Sequence, residues 1–162
     1  MCISVSLAMM SCGNGLNERM RQMAADNIRS SVVYPDSITL LGYSEPDSCY
    51  GSRYFDADEL DAIYTVMDKV EDKIMQSTKN MEEYDPRDLA TNELAERHMQ
   101  ASMALNNIMM LPQTESAVFT GWKLKADYET VSATGARYKA ERWFFFDKKG
   151  KSLFKTFEIP IP

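Results

Sequence analysis

The chain has one histidine, three cysteines and seven glycines in 162 residues, and no apolar run long enough for a membrane-spanning helix. Each scarcity removes a class of chemistry. His98 stands in Ala95-Glu96-Arg97-His98-Met99-Gln100, with no HExxH pattern and no second imidazole to complete a common zinc site. A serine triad would have to recruit the same histidine, and no GxSxG elbow is present. Cys2, Cys12 and Cys49 have no CxxC spacing. The glycines at 121, 135 and 150 fall at strand starts or turns, so no phosphate-cradling loop is legible. Asp56-Ala57-Asp58-Glu59 lacks the pattern and the central glycine of a calcium loop. No catalytic residue, metal ligand or cofactor-binding residue is therefore assigned, and no cofactor is expected.

Basic residues are also in the minority, 18 against 24 acidic, for a net charge of -6. Nothing global favours nucleic acid or an anionic membrane. Trp122, Tyr138, Trp143 and Phe145 stand beside Lys123, Lys125, Arg137 and Lys139, the raw material of base stacking, but no aromatic motif of an RNA-binding sheet is present. No nucleic-acid partner is expected. The charge is uneven: residues 1–112 carry 18 acidic and 9 basic side chains, residues 113–162 carry 6 and 9. An apolar fraction of 44% is enough for one real core, and the 12 methionines fall at helical spacings as adaptable filler.

The first eleven residues, Met1 to Ser11, are apolar and uncharged and are followed by Cys12-Gly13-Asn14-Gly15. The segment has the character of the end of a signal-peptide hydrophobic region, although no basic residue precedes Arg19. Leu7-Ala8-Met9-Met10-Ser11-Cys12-Gly13 resembles the cleavage region of a bacterial lipoprotein, with Met9 and Met10 where that motif prefers an aliphatic and then a small residue. The ending Ser-Cys-Gly is similar to small lipoproteins of the Bacteroides group. That resemblance implies lipidation of Cys12, export to the periplasm or the outer membrane and cell surface, and a lipid anchor. Residues 1–15 then form a signal-like segment and tether, and 16–162 a single domain. A buried first strand is the competing reading of the apolar run.

In the body of the chain, Leu16, Met20, Met23, Ala24 and Ile28 predict a first helix over 16–32, ended by Pro35. Residues 38–43 read as a short strand, and 44–56 as a turn-rich loop carrying Tyr50, Tyr54 and Phe55. Asp56 followed by Glu59 has the spacing of a capping box. Leu60, Ile63, Tyr64, Met67, Val70 and Ile74 mark the helix it opens, over 57–82. Asp85-Pro86-Arg87-Asp88 starts a third helix that runs to Leu111-Pro112. The last third alternates: Trp122, Leu124, Ala126 and Tyr128 on one strand, Tyr138, Ala140, Phe144 and Phe146 on the next, Leu153, Phe157 and Ile159 on a third. The predicted class is α+β, with an N-terminal helix and two long antiparallel helices packed on a C-terminal meander of about three strands, plus a short strand near 38–43.

Trp143 and Phe145 point opposite to Phe144 and Phe146 on a regular strand. Three-layer burial or a bulge would account for them. An exposed patch would account for them too, and with Tyr50 and Tyr54 it would form a surface for protein or peptide contact. The functional expectation is a noncatalytic envelope or cell-surface domain that binds a protein or peptide. The alternative is a small-ligand domain, with a pocket between the long helices and the sheet lined by Tyr64, Tyr128 and Phe144.

Overall fold

A computed structural model describes residues 11–110 and 118–162, with side chains from Gly15 onward in the first stretch. Residues 1–10 of the segment read as the end of a signal fall outside the described residues, as does the Leu111-Pro112 stop. Helix α1 spans Ser11–Ser31. It begins earlier than Leu16, so Gly13-Asn14-Gly15, expected as a tether, belongs to its first turns. Met20, Ala24 and Ile28, spaced by four, are fully buried along one side. A single 3-10 turn at Pro35–Ser37 follows, where Pro35 stops the helical path.

Five strands make one antiparallel sheet. Strands β3 (Phe119–Val131), β4 (Arg137–Phe146) and β5 (Leu153–Ile161) form the expected meander. Two short strands, β1 (Thr39–Tyr43) and β2 (Asp47–Tyr50), both pair with the outer edge of β3, one beside Ala126–Glu129 and one beside Phe119–Lys123. The expected loop over 44–56 thus contains a strand. Pro46 and Gly51, which made the segment look like a loop, stand just before and just after it, where proline and glycine mark strand ends. Gly121 allows the close approach of β4 at this end, because a Cβ there would lie 2.1 Å from the carbonyl oxygen of Phe146.

Helix α2 (Ala57–Ser77) opens on the capping box anticipated from Asp56 and Glu59: the Glu59 amide donates to Asp56 Oδ1 at 2.8 Å, and the Asp56 amide to Glu59 Oε2 at 2.9 Å. It stops five residues earlier than the apolar stripe predicts. Lys79, Asn80 and Met81 all take positive φ, 46°, 57° and 68°, and the buried Thr78 hydroxyl donates to the Ile74 carbonyl while accepting from the Met81 amide. Helix α3 (Leu89–Met109) starts after Pro86, with Asp88 accepting from the Thr91 amide at 3.1 Å.

The arrangement has three layers. Leu124, Ala126, Tyr128, Ala140, Phe144 and Phe146 pack under α1, whereas Trp143, Phe145, Phe157 and Ile159 pack under Ile63 and Met67 of α2 and Ala101, Leu105 and Ile108 of α3. The two long helices therefore cover the face opposite to the one marked by the Phe144 and Phe146 alternation, and α1 covers that one. Strand β4 dictates this result, since a strand aromatic on both sides needs a cover on each. Burying Trp143, Phe145 and Phe157 contributes about 2–3 kcal/mol apiece.

Candidate functional site

Two clefts open on the α2–α3 side of the molecule. The first, about 690 Å³, runs along β2 and the turn after it to the start of α2 and the end of α3. Tyr50, Tyr54 and Phe55 line it with Leu60, Ile108 and Met109. Below them the rings interlock edge to face: Tyr54 on Phe145 at 5.0 Å between centroids, Phe55 on Trp143 at 4.9 Å and on Phe145 at 5.7 Å. The four aromatics expected as one exposed surface are thus gathered, but in depth. Trp143 and Phe145 are buried at 7% and 0% exposure, so the open aromatic patch does not form at these two residues. Tyr50 is exposed at 46%, edge-on to Phe119 at 5.9 Å, and Tyr54 is half-buried between the two levels.

Lys123, expected on a wet face, lines the same groove at 5% exposure. Its ammonium meets Glu59 of the capping box and, at 3.2 Å, Asp47 on β2. Burial opposes its charge, but hydrogen bonding and attraction from the two carboxylates outweigh burial and hold its pKa above the ordinary lysine value. The neighbouring Cys49 is buried, and burial pushes its thiol up to about 12, with the Lys123 charge offsetting only a part. A thiol held protonated in this way is a poor nucleophile. The legible clue to Lys123 was indirect. If Trp143 and Phe145 are covered, the β3 residues that share their face are covered as well.

The second cleft, about 570 Å³, lies between the end of α2, the first half of α3 and the β3–β4 hairpin. Its wall is built around Arg97, whose guanidinium sits 3.3 Å from the centroid of the Tyr138 ring and donates to Glu93 at 3.0 Å and Glu158 at 3.1 Å. Glu158 also accepts from Arg142 at 2.9 Å and from the Tyr128 hydroxyl. Burial, followed by the Glu158 charge, raises the Tyr128 pKa. At Glu93 burial works toward protonation, yet hydrogen bonds from Ser132, Thr134 and Arg97 prevail and depress its pKa. The Glu158 cluster was not singled out by sequence, because Arg97, Tyr128 and Arg142 lie 61, 30 and 16 positions from Glu158 along the chain.

The ligand pocket imagined around Tyr64, Tyr128 and Phe144 is not assembled. Tyr64 is exposed at 46% on α2, whereas Tyr128 and Phe144 are fully buried under α1 on the other face of the sheet. His98 is half-buried on α3, and its Nδ1 has no hydrogen-bond partner among the described residues. Among those residues no group of three His, Cys, Asp or Glu side chains is placed to hold a metal, and no helix is long and apolar enough to cross a membrane. Cys12 lies in the first turn of α1. No protein-family model, curated protein or solved structure matches the chain.

Proposed function

We propose that the chain is a noncatalytic domain of the bacterial envelope that binds a protein or peptide and is held at the membrane by lipid on Cys12. The observation that carries the binding reading is the aromatic groove along β2, about 690 Å³ in volume. Tyrosines that pair an apolar ring with a polar tip favour protein contact. Strand β2 lies at the edge of the sheet, its own end closed by the Tyr50–Arg53 bridge and by the Ser48 amide donating to Asp47, so contact falls to the side chains of Tyr50 and Tyr54 beside it. Because α1 already begins at Ser11, an anchor on Cys12 would hold the domain close to the bilayer.

Selection of displayed peptides against the full chain, with Tyr50→Ala/Tyr54→Ala as counter-selection, tests the groove. Enriched peptides are expected to lose at least ~10-fold in affinity for the double variant, and peptides that bind both proteins equally would overturn the reading. The anchor is tested separately by mass spectrometry of the mature amino terminus from the membrane fraction of a related bacterium. Lipid-modified Cys12 is the expected species; an unprocessed Met1 in the soluble fraction refutes it. A second reading, a small-ligand domain, draws its support from the cleft beside Tyr138.

A further inference from the structure

We infer that the cleft between α2, α3 and the β3–β4 hairpin is a binding site for a small organic carboxylate with an apolar body. The site is separate from the aromatic groove and does not depend on the reading given to that groove. Seven charged side chains line it, and most of them are already engaged. Arg97 is shared between Glu93 and Glu158, Lys139 pairs with Glu129 at 3.2 Å, and Asp88 caps α3 through the Thr91 amide. Lys73 on α2 and Arg137 at the start of β4 are left with no ion-pair partner among the described residues. Lys73 and Arg137, both exposed, therefore present unpaired positive charge at this cleft in a chain of net charge -6.

The rest of the lining decides what kind of anion fits. Leu94, Pro160 and Ile161 supply an apolar wall, and the Tyr138 ring is held as a fixed surface by the Arg97 guanidinium. A bare inorganic anion would leave that wall unused. A carboxylate can take the planar fork of Arg137, with Lys73 adding a second charge, while a ring or short chain lies against the apolar wall. The volume of about 570 Å³ falls within the range for small-molecule sites and exceeds what a lone inorganic anion fills.

The test is an amide-shift NMR titration of the full chain with phenylacetate, its neutral counterpart phenylacetamide, and inorganic phosphate. Phenylacetate is expected to bind with Kd on the order of millimolar. It should shift the amides of Leu94, Arg137 and Tyr138, and phenylacetamide and phosphate should each bind at least ~10-fold more weakly. Arg137→Gln and Lys73→Gln, both at exposed positions, are expected to weaken phenylacetate ~10-fold with otherwise superimposable spectra, and Arg137→Lys to restore part of the loss. Tyr50→Ala/Tyr54→Ala should leave its affinity unchanged. Equal binding of phenylacetamide would show that charge is not read, and equal binding of phosphate that the apolar wall is not used. Either result, no shifts in the cleft, or loss of binding in the tyrosine variant would overturn the inference.

Discussion

Glu158 on β5 accepts from Arg97 of α3, Arg142 of β4 and Tyr128 of β3, so one carboxylate ties together three strands and a helix. Arg142 continues the chain of contacts to α1 through Asn27 at 3.3 Å and Ser31. Glu158→Ala would leave two guanidiniums and a phenol facing a void. The side chains of Arg97, Arg142 and Glu158 are only 19%, 13% and 17% exposed, so the penalty is that of a mostly buried pair broken on one side, about 3–5 kcal/mol. The lower end applies, because Arg97 keeps Glu93 and Arg142 keeps its partners on α1. A loss of ~3 kcal/mol lowers Tm by about 6–12 °C in a domain of this length. Glu158→Gln keeps one carbonyl acceptor but loses the charge and turns the other oxygen into a donor that faces Arg97, or Arg142 and Tyr128, for about 1.5–3 kcal/mol. Urea denaturation followed by both fluorescence and circular dichroism gives the numbers and checks two-state behaviour. A cycle with Arg142→Met should return a coupling of at least ~1 kcal/mol. If Glu158→Ala costs under ~0.5 kcal/mol, or the coupling is zero, the carboxylate is not the hub described.

Other substitutions test the backbone and the buried thiol. Gly121→Ala sets a methyl group 2.1 Å from the Phe146 carbonyl and should cost about 3 kcal/mol or more, whereas Gly42→Ala, with nothing within 4 Å, should stay within about 1 kcal/mol in the same urea titration. Lys79→Gly relieves a positive φ of 46° and should raise stability by about 0.5–1 kcal/mol; Asn80→Gly should gain less, since asparagine tolerates that region better. A fall in Tm for Lys79→Gly would show that the three-residue turn is not strained. Cys49, with its pKa raised from 9.0 to about 12, contributes stability that is complete below pH 9 and lost as pH rises toward 12, because the unfolded chain ionises first. In a Cys2→Ser/Cys12→Ser background the native thiol should resist iodoacetamide at pH 8 and react on unfolding; rapid alkylation of the folded protein would contradict its burial.

What was legible in the sequence was what depends on near neighbours. The Asp56–Glu59 cap, the Pro35 stop and the alternation along β3, β4 and β5 are written within a few residues and appear as expected. Strand β2 was missed because its pairing belongs to Gly121 and Lys123, more than seventy positions on. The candidate site was half legible. Tyr50, Tyr54, Trp143 and Phe145 do cluster, but alternation gives the face of a residue and not whether that face is covered. Lys123 looked solvated for the same reason: a lysine in an alternating strand reads as wet until Glu59 and Asp47 are known to stand over it.

The three-layer order also sets a schedule for synthesis. The central layer of the sandwich is assembled chiefly from β3, β4 and β5, which are synthesised after all three helices of the outer layers. Helix α1 must keep Met20, Ala24 and Ile28 uncovered until Tyr128, Ala140 and Phe144 arrive a hundred or more residues later. The pairing of α1 with β3 and β4 makes native contacts distant along the chain, which slows folding. Removal of β5 alone therefore strips Phe157 and Ile159 from one core and Leu153 from the other at once.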